Sequence, residues 1–132
     1  MDVVVAHDEA LVAELVSLIN HAYARGEAGL WRGHVDRADE AEIAEAVGAG
    51  LMLVARAGGR IAGCLRTADA GLIGVELLVP RTGPHPDKER LRDWYTRRGY
   101  AVVRRIPMEE YLPHVAPLLS APGDILVFET TL

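Results

Sequence analysis

Three side chains in the second half of the chain are of the types that move protons: Glu76, His85 and Tyr95. Glu76 interrupts the apolar run "IGVELLV". Side chains alternate along an extended strand, so Glu76 and Leu78 share one face while Val75 and Leu77 share the other. A carboxylate among apolar neighbours is costly unless it is hydrated, paired or used. It can act as a general base whose proton affinity those neighbours raise, or it can pair with an arginine such as Arg66 or Arg104. His85 lies in "PRTGPHP", just ahead of a helix, and loops on a rigid scaffold often carry function; its competing role is to cap the turn or face solvent. Tyr95, in "KERLRDWYTRRGY", offers a phenol whose ordinary pKa of about 10 suits it to protonate a strong base. It also shares a helical stripe with Leu91 and Trp94, as a core residue would.

Other chemistry is thinner. The single cysteine, Cys64, cannot form an internal disulfide, and nothing near it in sequence activates it, so it reads as a small buried residue of a hairpin. His7, His21, His34 and His114 are scattered. No two fall at the i, i+4 or Cys/His spacing of a metal site, and no metal is expected.

The elements that must hold these groups can be read from periodicity and punctuation. Val3 to Ala6 suits a first strand, and Asp8 caps a helix with Leu11, Leu15, Leu18, Ile19 and Ala22 on one stripe. The pattern breaks from Gly26 to Gly33. Asp36 is then expected to cap a second helix whose Ile43, Ala46 and Val47 face inward, ending in "GAG". "LMLVARAGGRIAGCLRT" is two strands joined by a tight glycine turn. Ile73 to Val79 is a strand, Asp87 is expected to cap the helix that carries Tyr95, and Gly99 takes the left-handed position past its end. "YAVVRRI" is a fifth strand, Pro107 to Leu119 a partly helical connection, and Ile125 to Glu129 a last strand. This order predicts an α/β or α+β fold, a mixed sheet of about six strands with three or four helices on it.

Composition sets outer limits. A chain of 132 residues, half apolar and a quarter charged, suits one domain spanning 1–132. No run reaches the roughly 18 apolar residues of a membrane helix, and the start lacks the features of a secretory signal. A cytoplasmic protein without a membrane partner is expected. Thirteen arginines to one lysine fit a GC-rich bacterial genome. Residues 81–105 carry eight basic groups against three acids, yet the net charge is −5 and no binding motif accompanies them, so nucleic acid is not expected as a partner.

The segment "VELLVPRTGPHPDKERLRDWYTRRGYAVVRRIPMEEYLPHVAPLL" resembles the C-terminal half of the GNAT superfamily of N-acyltransferases. Trp94, Tyr95, Gly99 and Tyr100 match its aromatic-Tyr-x-x-x-Gly-aromatic helix end. The N-terminal order of one strand, two helices and a hairpin is similar too, so the resemblance spans almost the whole chain. It implies that Tyr95 protonates a leaving thiolate. It also implies that the loop after helix one shapes an acceptor pocket, with Trp31, Arg32, Tyr23 and Tyr111 as its candidate lining. The family's pyrophosphate-binding loop and helix have no counterpart. Five residues separate Thr67 from Ile73, whereas a strand, crossover helix and next strand take roughly 30.

Two expectations follow. The usual acetyl-CoA grip is missing, so no cofactor is expected to be held in the family's manner and standard acetyl transfer is not expected. A sheet that loses a covering helix is also expected to bare Ile73, Val75, Leu77 and Leu78, and bare apolar surface is usually covered by a partner, here a homodimer. The sequence thus reads as a truncated, acyltransferase-like GNAT relative acting on a small molecule. The alternatives are a CoA-independent enzyme that uses Tyr95, Glu76 or His85 for acid–base chemistry on a metabolite, and a non-catalytic module that binds a ligand or partner.

Overall fold

The valines at the start form strand β1 (Asp2–Val5). A 3₁₀ turn follows (Glu9–Leu11), capped by the Asp8 carboxylate, which accepts the Ala10 N–H at 2.9 Å, and it feeds helix α1 (Val12–Gly26). The computed structural model describes residues 2–67 and 72–131, with only the backbone of Leu72 and Ile73. Among these residues there are six strands and four α-helices, an α+β fold as expected, but the strands form two antiparallel three-stranded sheets and not the one mixed sheet expected. The chain divides into two compact units: Met1–Arg25 with Asp36–Asp69, and Gly26–Val35 with Ala70–Leu132.

The first unit holds β1, α1, α2 (Glu40–Gly48), β2 (Met52–Ala57) and β3 (Arg60–Arg66), with sheet order β1-β2-β3. Helix α2 begins later than expected. Its cap is Asp39, which accepts the Glu42 N–H at 2.8 Å, and not Asp36. The cause is Asn20, whose side-chain oxygen accepts the N–H groups of Arg37 and Ala38 at 2.7 and 2.8 Å and so fastens the stretch that Asp36 was to open. The β2–β3 hairpin turns on Gly58 and Gly59, at φ +59° and +77°, as its paired glycines require. Leu15 and Val54 are fully buried, with Ile43, Ala46, Val47 and Met52 around them, and of these Leu15, Ile43, Ala46 and Val47 lie on the expected helical stripes.

The second unit holds β4 (Leu72–Pro80), α3 (Pro86–Arg97), β5 (Ala101–Pro107), the single turn α4 (Met108–Tyr111), a 3₁₀ turn (Ala116–Leu118) and β6 (Gly123–Thr131). Strand β6 lies between β4 and β5. Around Leu77 and Leu78 both faces of this sheet are covered by the unit itself. On one, Leu78, Ile125 and Val127 pack with Met108 and Leu119. On the other, Leu77, Val79, Leu126 and Phe128 pack against Tyr95 and Tyr100. This corrects the expected bare surface: Leu77 and Leu78 are 4% and 2% exposed and Val75 is half-buried, while the Ile73 side chain lies outside the described residues. The premise for the homodimer goes with it.

Candidate functional site

Glu76 projects from the face of β4 that it shares with Leu78, as the alternation predicts. Its partner comes from α4. Tyr111 closes that turn and lays its ring against the cluster of Leu78, Met108, Leu119, Ile125 and Val127, and its phenol donates a hydrogen bond to Oε2 of Glu76. The expected arginine partner is replaced by a tyrosine: Arg66 reaches Glu42 instead, at 3.6 Å. The phenol is half-buried and the carboxylate exposed, so a proton donor fixed by packing meets an acceptor open to water. Two candidates from the sequence, one catalytic and one substrate-binding, therefore meet.

Tyr95 and His85 stand elsewhere. Tyr95 packs on the opposite face of the sheet, with ring centroids 5.2 Å from Trp94, 5.3 Å from Tyr100 and 5.6 Å from Phe128. His85, and not Asp87, is the cap of α3. Its Nδ1 accepts the Lys88 N–H at 3.3 Å, Pro86 occupies the first turn, and Nε2 sits 3.3 Å from the carbonyl of Ala28. The three proton carriers proposed from the sequence do not converge on one point.

Trp31 and Arg32 belong to residues 26–35, a strap that joins α1 to α2 in sequence but is built into the second unit. Trp31 forms a β-bridge with Leu119. The Arg32 N–H donates to the Leu118 carbonyl at 2.8 Å, the Ser120 N–H to Leu30 at 2.8 Å, and Arg32 Nε to Leu119 at 3.0 Å, so this guanidinium serves the backbone. At the head of the strap lies a pair that the sequence reading missed. Glu27 and Lys88 are buried, with side chains 2% and 5% exposed and Nζ to Oε2 at 2.8 Å, and the Trp31 indole N–H donates to Oε1 of Glu27 at 3.2 Å. The one lysine among thirteen arginines was the signal that could have found it: its ammonium is a compact point charge and not the planar guanidinium fork used everywhere else in the chain.

A second buried carboxylate, Asp124, accepts Arg81 Nε at 2.9 Å and Arg105 Nε at 2.7 Å. Burial pushes its pKa up, but the hydrogen bonds from Arg105 and Arg81 outweigh that and hold it below the usual carboxylate range. Glu109, held low by its own backbone N–H and by Arg81, completes the cluster. In the first unit, Tyr23 lies under the Arg37 guanidinium, 4.3 Å from the ring centroid. Near it a cavity of about 330 Å³ is lined by Asn20, Asp36, Arg37, Asp39, Glu40 and Glu42 among others. Cys64 is half-buried and burial raises its thiol pKa, which leaves it a poor nucleophile at neutral pH.

No family model matches the chain, and neither a curated protein nor a solved structure matches it significantly. No helix among the described residues is long and apolar enough to cross a membrane.

Proposed function

We propose that the chain is a GNAT-related, acyltransferase-like protein acting on a small molecule, with Glu76 and Tyr111 as its proton-transfer pair. The observation that carries this reading is the hydrogen bond from the Tyr111 phenol to the Glu76 carboxylate on a face where the carboxylate reaches water. The element order of strand, two helices and hairpin, then strand, helix and strand, supports the family part of it. Tyr95, half-buried in an aromatic cluster on the far face of the same sheet, is read as core.

The pair can close a proton cycle for acyl transfer from a thioester to an amine. As the amine nitrogen bonds to the acyl carbon and the carbon–sulfur bond breaks, Glu76 takes the proton leaving nitrogen and Tyr111 gives its phenolic proton to the thiolate. The proton on Glu76 then passes to the Tyr111 phenolate along their existing hydrogen bond, which restores both groups. Positioned acid–base groups of this kind contribute typically 10²–10⁴-fold.

The test uses acetyl-CoA and the shorter thioester S-acetyl-N-acetylcysteamine with a panel of small primary amines, and reads the amide by mass spectrometry. Glu76→Gln and Tyr111→Phe should each lower the rate about 10²-fold or more, while Tyr95→Phe should leave it within a few-fold. Wild-type protein forming no more amide than the Glu76→Gln/Tyr111→Phe double variant would defeat the reading.

A further inference from the structure

We infer that residues 26–35 are a positioning strap for Tyr111, with Trp31 as the residue through which they act and the Glu27–Lys88 pair as the pin. The inference rests on reading Glu76 and Tyr111 as a proton-transfer pair and adds what holds that pair in place.

The turn that carries Tyr111 is poorly equipped to hold itself. Helix α4 spans Met108–Tyr111 and has no side-chain cap at its start, so its orientation is set by what it leans on. On one side that is the cluster of Leu78, Met108, Leu119, Ile125 and Val127, against which Tyr111 and Trp31 both pack. On the other it is the connection to β6, an unbroken series of short-range bonds: Leu112 N–H to Met108, Val115 and Ala116 N–H to Leu112, Leu118 N–H to Val115, and Leu119 N–H to Ala116. That series ends where the strap begins to grip.

Every residue from Leu118 to Ser120 is bonded to the strap. The Leu118 and Leu119 carbonyls accept from the backbone and side chain of Arg32, and Ser120 donates its N–H to Leu30 and its hydroxyl to Gly29 at 2.6 Å. The strap in turn is anchored to α3, the longest helix of the unit, through Glu27 and Lys88. Trp31 joins the two ends: its indole N–H is held by Glu27, its backbone bridges Leu119, and its ring lies on the cluster that supports Tyr111. A displacement of Trp31 is therefore passed to α4 through packed side chains and through the bonded connection. A reacting group moved by as little as about 1 Å can lose about 10²-fold in rate.

The test places 3-fluorotyrosine at position 111 and reads its ¹⁹F resonance without substrate, so it stands whether or not the acyl-transfer reading does. Glu76→Gln, which weakens the phenol's bond directly, gives the reference displacement of the signal. Trp31→Phe keeps a ring but removes the indole N–H, and should move the signal in the same direction. Ser120→Ala, which removes one strap bond from an exposed site, should move it less. Trp94→Phe, on α3 and away from this cluster, should leave it in place. Where amide formation is measurable, Trp31→Phe should lower kcat about tenfold to a hundredfold with KM unchanged. A Tyr111 resonance unmoved by both Trp31→Phe and Ser120→Ala overturns the inference.

Discussion

Replacing Lys88 by Met is the sharpest test of how the second unit is held together. The thioether keeps most of the length of the lysine stem but removes the ammonium, leaving Glu27 with a side chain only 2% exposed and no cation at Nζ's former place. Breaking a buried ion pair from one side costs about 3–5 kcal/mol, because the remaining buried charge loses its counter-ion. The Trp31 indole still donates to the other carboxylate oxygen, so the lower half of that range is expected here. In urea, where a domain of this size has a slope of about 1–3 kcal/mol per molar, the midpoint should fall by about 1.5–2 M. Tryptophan fluorescence suits the measurement, since both tryptophans, Trp31 and Trp94, belong to the second unit. The companion is the Glu27→Leu/Lys88→Met double variant, in which no charge is stranded and most of the loss should be recovered. A single variant within about 1 kcal/mol of wild type, the value of an exposed pair, would refute the claim that this pair pins the strap.

Asp124 makes stability depend on acid. Its carboxyl is held below its ordinary value by Arg105 and Arg81, so it contributes stability that is present above the ordinary aspartate pKa of about 3.9 and is lost as pH falls through the lower folded value. Acid-unfolding curves followed by circular dichroism should therefore be less steep below about pH 4 in Asp124→Asn than in wild type; equal curves would count against the cluster. For Cys64, whose thiol burial pushes up, alkylation by iodoacetamide at neutral pH should be at least tenfold slower in the folded protein than in urea, read by mass spectrometry.

Most of the fold was legible because its signals are local. The stripes of α1 and α2, the glycine pair of the hairpin and Gly99 at φ +88° each report on a backbone conformation that a few neighbouring residues decide. The two misplaced helix starts show where local reading ends. Asp36 is as good a cap by type as Asp39, and Asp87 a better one than His85, but Asn20, seventeen residues before Arg37, claims the backbone that Asp36 would have opened. The expected bare face of β4 erred in the same way. Neighbours in sequence say nothing of what covers Leu78: Met108, Leu119 and Trp31, all remote in sequence, pack on its face.

The candidate site was legible in its parts and not in its assembly. Glu76 could be assigned its face from alternation alone, but nothing within "VELLV" says that the partner is a tyrosine thirty-five residues on rather than an arginine. That choice is made by α4, a turn too short to be set by its own propensity and therefore set by what surrounds it. The same holds for Glu27. In sequence it closes a helix and looks like any solvated acid; in the fold it is separated by sixty-one residues from the single lysine that neutralises it. A buried charge pair is costly to assemble and is seldom kept for stability alone, since apolar residues of similar size would serve as well. What apolar residues would not supply is a fixed register for the strap: a carboxylate that must meet one ammonium and one indole N–H tolerates no sliding, whereas packed methyl groups do. The expense of Glu27 and Lys88 is thus intelligible if the placement of Trp31, and with it Tyr111, is what they secure.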